Sequence, residues 1–169
     1  DNNGGTAQGA GLYLDNSGKH TSTATISGGS IVGNTGASGV YAANANLSIS
    51  GNPVISGQKT NLYLGSNKIT LSGPLTNGAS IGVTTQTNPT DIKPVQITTA
   101  ENGTEYYKDA ARYFIPDAAN VIAQANEGKY VELAYTADNY YKVTLDLSHA
   151  SATGGAITMI KKDASYAAA

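Results

Sequence analysis

A repeated unit in the first half of the chain constrains the fold more than any other feature of the sequence. A Ser-Gly pair returns at a spacing of about 22 residues, at Ser27-Gly28, Ser50-Gly51 and Ser72-Gly73. The copies of this unit run from Gly11 to Asn34, from Gly39 to Gly57 and from Asn61 to Val83. The first copy carries an insertion within Asp15 to Thr23. A fixed period with a local insertion is typical of stacked repeats, in which loops vary while strands do not.

Short runs inside each copy alternate between apolar and other side chains, as in Leu12-Tyr13-Leu14 and again in Leu62-Tyr63-Leu64. A period of two is that of a β-strand. A second run follows each tyrosine, and a third apolar position follows each Ser-Gly pair, at Ile31, Val54 and Leu75. Strands this short, repeating at about 22 residues, do not fit helical repeats. The pattern therefore predicts a parallel β-helix, with a plain β-sandwich as the alternative.

Stacking of the copies is a physical requirement of this prediction, because one coil alone cannot bury its apolar face. Each fully buried Leu, Ile or Val contributes roughly 1.5 to 3 kcal/mol, which must offset the ordering of the chain. We expect residues 9–83 to form three parallel coils. The inward side chains are predicted to be Leu12, Leu14, Ile26, Val40, Leu47, Ile49, Leu62, Leu64, Ile69 and Leu71.

The amino-acid sequence of the repeat resembles that of a known class of protein. The phrase ISGGSIVGNT from Ile26 to Thr35, then GVY from Gly39, then NLYL and ITLSGPLT leading to IGV at Val83, resembles the right-handed parallel β-helix regions of large secreted surface proteins of anaerobic bacteria. The resemblance covers the first half of the chain and continues more loosely to residue 135. It implies a non-catalytic stalk or adhesin-like body, located outside the bacterial cell or on its surface, with a host glycan or an extracellular protein as partner.

Composition agrees with this expectation. The 169 residues include no Cys, only 13% charged residues and a net charge of −2. Since the Lys and Arg residues form no basic stripe, we expect no nucleic-acid partner. No apolar run has the length of a membrane span. The segment Asp1 to Ala10 is similar to the corners that precede later strands, so we interpret the chain as part of a longer protein whose leader lies upstream.

Catalytic residues are scarce in the repeat. Up to residue 90 the only acids are Asp1 and Asp15 and the only histidine is His20, whereas polysaccharide-cleaving enzymes need paired carboxylates. His20 and His149 lack a second ligand at metal-binding spacing. We therefore expect no enzyme activity, no cofactor and no metal. The alternative is the C-terminal part of a carbohydrate-binding or polysaccharide-degrading β-helix whose active coils precede Asp1.

Two groups of residues are candidates for surface contacts. The insertion contains Asp15 and His20, and it is either a ligand-contacting loop or a solvated bulge, which we favour. The tyrosines Tyr13, Tyr41 and Tyr63 share one register and should form an outward row. This row is either a strip for binding sugars or proteins or, as we favour, a ladder that stabilises stacking by about 0.5 to 1.5 kcal/mol per pair.

The composition changes after the repeat. We divide the chain into coils at 1–90, a distorted terminal coil or cap at 91–137, and a short β tail at 138–169. The acids of the cap, which include Asp117 and Glu132, are interpreted as solvated residues, with a Ca²⁺ site as a less favoured option. We predict a strand from Tyr113 to Ile115, with a helical turn over Asp109 to Tyr113 as the alternative.

The β tail resembles the first strands of an immunoglobulin-like repeat. Its predicted strands are Tyr140 to Leu147 and Ala156 to Lys161. Because two strands alone are marginally stable, we expect residues 138–169 to pack on the cap or to borrow strands from another copy of the chain. The alternative is a disordered tail. The predicted buried contacts are Val143, Leu145 and Ile157.

Overall fold

The computed structural model describes part of the chain. These parts are residues 9–14, 21–35, 37–99, 106–136, 140–143 and 158–161, with the backbone alone for the last two segments and for Tyr106. Strands hold 51% of the described residues and helices 6%. The protein is mostly β, with parallel sheets in its first half.

The strands of the repeat are short and fall in groups of three. In chain order they are β1 Leu12–Leu14, β2 Thr23–Ile26, β3 Ser30–Val32, β4 Val40–Ala42, β5 Asn46–Gly51, β6 Val54–Ser56, β7 Leu62–Leu64, β8 Ile69–Leu75 and β9 Ser80–Thr85. The later elements are β10 Val95–Gln96, helix α1 Tyr106–Ala110 with a 3-10 turn at Ala111–Tyr113, β11 Phe114–Pro116, β12 Val121–Asn126, β13 Tyr130–Tyr135, β14 Tyr140–Val143 and β15 Thr158–Lys161.

Equivalent strands of successive copies pair in parallel. β1, β4 and β7 lie side by side, so that Leu12, Val40 and Leu62 occupy one row. β2, β5 and β8 form a second parallel sheet, and β3, β6 and β9 continue the first. The predicted parallel pairing of the repeat is thus confirmed, and the described strands of the repeat do not form an antiparallel sandwich.

The strand β9 belongs to two of these groups. Its first residues, Ser80 and Ile81, pair with β6, while its last three residues pair with β7. On its other side β9 pairs in parallel with β11, where Phe114 lies opposite Ile81. An isolated parallel bridge joins Ile69 to Thr98. Parallel stacking therefore continues beyond Val83, through strands that are separated by α1.

Burial follows the predicted inward rows, with a gradient at one end. Eight of the ten predicted side chains are buried, from Leu14 to Leu71. Leu12 and Ile26 are only half-buried, because β1 and β2 have a described neighbour on one side only. They still pack against the same core.

The third predicted row requires a correction. The row contains Ile31, Ile55 and Ile81 rather than Ile31, Val54 and Leu75. Val54 faces partly outward, while Ile55 is fully buried. The partner of Ile26 is Ile49, 23 residues later, whereas the partner of Ile31 is Ile55, 24 residues later. The second copy therefore has one extra residue between β5 and β6, which brings Ile55 rather than Val54 into the row. Leu75 instead pairs with Gly51 of β5. Because Val54 and Ile55 are both apolar, alternation alone did not fix which of the two faces the core.

Side chains of the segment after the repeat pack into the same hydrophobic core as those of the repeat. Buried side chains from this segment, among them Ile97, Phe114, Val131 and Leu133, belong to the core cluster of the repeat. The buried hydroxyl group of Tyr107 accepts a hydrogen bond of 3.3 Å from the N–H of Leu71. The N–H of Val131 donates to Oγ1 of Thr98 at 2.8 Å. The first bond connects the repeat directly to the cap, and the second lies within the cap.

The cap contains a short helical segment and an antiparallel sheet. Residues 106–113 are helical, which resolves the alternative at Asp109 in favour of a helical turn. β10, β13 and β12 form an antiparallel sheet. Its tight turn has positive φ angles at Glu127 (50°) and Gly128 (71°), as in a type I′ turn, and the N–H of Lys129 donates to the carbonyl of Asn126 at 2.9 Å.

In the tail, the described residues form one strand within each of the two predicted strand segments. β14 and β15 pair in antiparallel fashion, with Tyr140 opposite Lys161. Leu145 and Ile157 lie outside the described residues, and of Val143 the backbone alone is described. The predicted packing of the tail therefore stays a prediction, as do the boundaries at residues 90 and 137.

A stacked tyrosine row as the candidate functional site

The three tyrosines of the repeat form one continuous row, which we call the tyrosine row (Tyr13, Tyr41, Tyr63). The backbone pairs Tyr13 with Tyr41 and Tyr41 with Tyr63. Ring centroids are 5.2 Å apart in the first pair and 5.1 Å in the second, with interplanar angles of 8° and 3°. The predicted shared register is confirmed, and the rings are stacked.

Strand geometry explains why the row faces outward. Each tyrosine is the middle residue of a three-residue strand, and successive side chains of a strand point to opposite faces. In β4 and β7 the residues on either side of the tyrosine are buried. The inward packing of Val40 and Ala42 therefore fixes the direction of Tyr41, and parallel pairing brings its ring against the next.

The stacking limits what the row can bind. Each face of the Tyr41 ring is covered by a neighbouring tyrosine. A sugar that stacks on an aromatic residue needs a free ring face, and in this row the inner faces are occupied. Tyr13, at the end of the row, is half exposed. The geometry therefore favours the interpretation of the row as a stabilising ladder, which presents ring edges along most of its length.

The tyrosine row ends at a polar cluster formed by Asn61, Thr84 and Asp117. Thr84 is the register neighbour of Tyr63, and its hydroxyl group donates a hydrogen bond of 2.8 Å to Oδ2 of Asp117. The N–H of Asn61 donates to the same oxygen at 2.8 Å. The Asn61 side-chain amide donates to Oδ1. All three residues are half-buried.

This cluster was missed by the sequence analysis, which grouped Asp117 with solvated acids. That interpretation is wrong for Asp117, because its carboxylate accepts three hydrogen bonds. One signal was present in the sequence. The residue before each first strand is glycine at positions 11 and 39 but asparagine at position 61, and glycine returns at position 82, beside Asn61 within β9. A Cβ atom on Gly82 would lie 2.3 Å from Nδ2 of Asn61, so the neighbouring glycine leaves room for the side chain.

Glu132 is a second acid that the sequence analysis wrongly placed in solvent. It is only 4% exposed. Its Oε1 accepts a hydrogen bond of 2.7 Å from Gln124, the residue directly opposite on β12. Its Oε2 accepts one of 3.1 Å from the amide of Asn126. Buried carboxylates require such partners, so the sequence of β12 supplies amides where the hairpin buries Glu132.

One exposed ion pair changes the titration of its members. Lys129 binds the Glu127 carboxylate across the hairpin turn. The hydrogen bond and the positive charge of Lys129 lower the pKa of Glu127, and Glu127 in turn raises the pKa of Lys129. Both side chains face solvent, and pairs of this kind contribute little to stability.

Two features were sought in the described parts of the chain: a cluster of metal-binding side chains and a helix that could span a membrane. Within the described ranges, no three His, Cys, Asp or Glu side chains lie close enough together to hold a metal ion. The helical part of the same ranges contains no segment long and apolar enough to cross a membrane. Asp15 and His20 lie outside the described residues, so their contact role stays a prediction.

Comparison of the chain with protein-family models, with curated proteins and with solved structures found no match.

Proposed function

We propose that this chain is a non-catalytic structural or adhesive segment of a bacterial extracellular or cell-surface protein, acting as a stalk or as a binding body. In this proposal the described strands belong to a right-handed parallel β-helix with a distorted C-terminal cap. The observation that carries the proposal is the in-register stacking of equivalent strands, with the tyrosine row running along it.

Stacked parallel strands suit a load-bearing role for a physical reason. Each strand pairs along its length with the strand of the next copy, at a spacing of roughly 4.8 Å. The apolar rows of all copies merge into one core that extends into the cap. Stability then accumulates with the number of stacked units, and the result is a stiff body from which loops can project.

The absence of catalysis is part of the proposal. The repeat carries few acids, and the carboxylates of two acids of the cap are hydrogen-bonded to neighbouring side chains or backbone. Asp117 binds Asn61 and Thr84, while Glu132 binds Gln124 and Asn126. A general acid or base must instead reach its substrate.

Incubation with a panel of polysaccharides tests the non-catalytic role. The proposal expects no new chain ends from any substrate. Turnover that disappears in the Asp15→Asn variant would contradict it and would favour the alternative of a polysaccharide-degrading β-helix.

The adhesive role is tested separately, on arrays of glycans and extracellular matrix proteins. The wild type is compared with a variant in which all three residues of the tyrosine row are serine. Tyr135→Ser is the matched control, because Tyr135 is 37% exposed but lies outside the row. Binding that is lost only in the row variant supports adhesion through the tyrosine row. Binding that the row variant retains would show that the binding surface lies elsewhere on the chain.

Self-association through the tail is the remaining partner proposal. Residues 138–169 would add strands to a second copy of the chain, as exposed strand edges tend to do. Sedimentation of the full chain and of a chain ending at residue 137 should then differ in oligomeric state. The same oligomeric state for both chains would argue against self-association through the tail.

A further inference from the structure

The geometry of the tyrosine row has a chemical consequence that is independent of any ligand. Neighbouring rings are held nearly parallel with centroids 5.1 to 5.2 Å apart. The backbone register fixes this proximity, because the tyrosines lie directly opposite each other in paired strands. The pairs Tyr13–Tyr41 and Tyr41–Tyr63 are the two stacked aromatic pairs among the described residues. Each phenol ring therefore has another phenol ring as a permanent neighbour.

We propose that the tyrosine row is a site of oxidative cross-linking, at which a one-electron oxidant joins adjacent rings as dityrosine. The oxidant is of the class that peroxidases generate with hydrogen peroxide. The products would link Tyr13 to Tyr41 or Tyr41 to Tyr63, and so join neighbouring strands of the repeat covalently. The chain has no cysteine, so it can form no disulfide to make such a link.

The reaction balances as follows in atoms and electrons. Each of two phenols loses one electron and its hydroxyl proton, which gives two tyrosyl radicals. The radicals couple through the ring carbons ortho to oxygen, and one C–C bond forms. Each coupled carbon then loses its hydrogen as a proton while its oxygen regains one. The net change is the loss of two protons and two electrons, and one hydrogen peroxide takes up both pairs and becomes two waters.

Position within the fold favours coupling along the row over coupling elsewhere. Two radicals must meet before either is quenched, and prior alignment of reacting groups raises their effective concentration. The exposed ring of Tyr13 gives an oxidant access to the end of the row. Tyr107 is fully buried and Tyr113 nearly so. Tyr135 is partly exposed but has no stacked partner among the described rings, so it serves as an internal control.

The test uses a small oxidant, so that access does not decide the result. The full chain, at high dilution, is illuminated with a ruthenium photosensitiser and persulfate, which accepts the two electrons and leaves as two sulfates. Trypsin cleaves after Lys19, Lys59 and Lys68, which places the three tyrosines in separate peptides. Mass spectrometry then identifies each cross-link as a peptide pair that has lost two hydrogens, and dityrosine fluorescence measures the yield.

The expected products are the pairs of peptides 1–19 with 20–59 and 20–59 with 60–68. Their yield per chain should not depend on protein concentration, because the coupling is intramolecular. Tyr41→Phe keeps a ring in the stack but removes the central phenol, so both pairs should disappear. Tyr135→Phe, the matched control, should leave both pairs unchanged. In urea, where the register is lost, the preference for the row should vanish.

Three results would overturn the proposal. One is oxidation of tyrosine, seen as hydroxylated rings, without dityrosine in the row. Another is dityrosine whose yield rises with protein concentration, since that coupling is between molecules. The third is a Tyr41→Phe variant that folds, as shown by its circular dichroism, and still forms the wild-type yield of dityrosine.

Discussion

Asn61 and Asp117, which are 56 residues apart in the sequence, are joined by a hydrogen bond of 2.8 Å from the N–H of Asn61 to Oδ2 of Asp117. The side-chain amide of Asn61 binds the other carboxylate oxygen. Asn61 begins the last copy of the repeat, and Asp117 follows β11. In addition, the N–H of Asp117 donates to the carbonyl of Val83 at 2.9 Å. The hydrogen bonds of Asn61 and Asp117 therefore connect the segment after the repeat to the repeat.

The first prediction is that Asp117→Asn destabilises the protein. The new amide would keep one acceptor oxygen but place an NH₂ donor where the other carboxylate oxygen now accepts a hydrogen bond, and unpaired polar groups in a partly buried site cost about 1 to 3 kcal/mol. Urea unfolding followed by circular dichroism measures the effect. Asp91→Asn is the control, because Asp91 is exposed in a turn. Equal midpoints for the two variants would contradict the role of Asp117.

The second prediction concerns the apolar rows. Ile49 is 0% exposed, while Ile26, its neighbour in the same row, is half-buried at the end of the sheet. Ile49→Ala should cost about 2 to 5 kcal/mol, and Ile26→Ala clearly less, because less apolar area returns to water. Thermal melts of both variants test the gradient. An Ile49→Ala protein that melts like the wild type would count against a shared core.

Alternation and repetition made the outward tyrosines and most inward residues predictable from sequence. Tyr41 lies between two inward residues and has equivalents in the copies before and after it. The third row was less predictable, because Val54 and Ile55 are adjacent apolar residues and one extra residue between β5 and β6 decides between them. Local pattern carries no information on such an extra residue.

The hydrogen bonds of Asp117 and Glu132 could not be predicted from the sequence, for a different reason. The partners of Asp117 lie 56 and 33 residues away in the chain. Their proximity depends on the path of the chain through α1 and β11, which no periodicity encodes. Glu132 is clearer in retrospect, because Gln124 stands opposite it once the turn at Glu127 and Gly128 fixes the hairpin register.

The third prediction is that the tyrosine row stabilises the stack in proportion to the contacts that are lost. Tyr41 has two stacked neighbours and Tyr13 has one. At about 0.5 to 1.5 kcal/mol per aromatic pair, Tyr41→Ser should lower the free energy of unfolding roughly twice as much as Tyr13→Ser. Chemical denaturation measures both values. Tyr135→Ser controls for the loss of an exposed tyrosine outside the row, and an equal effect of all three changes would contradict stabilisation by stacking.

Parallel, in-register stacking of the copies is the central claim, and disulfide trapping tests it most directly because the chain has no cysteine of its own. Ser48 and Thr70 are register partners in β5 and β8, and each is half-exposed on the outward side of its strand. Paired strands lie roughly 4.8 Å apart, within the range that a disulfide spans. The double variant Ser48→Cys with Thr70→Cys is therefore predicted to oxidise rapidly in the folded state.

The matched control is Ser48→Cys with Ser72→Cys, in which the second cysteine lies on the same strand face but is displaced from register. The account predicts that this pair forms a disulfide slowly in the folded protein and that both pairs oxidise at similar rates in urea. Rapid oxidation of the Ser48 and Ser72 pair, or failure of the Ser48 and Thr70 pair, would contradict the parallel register on which the proposed β-helix depends.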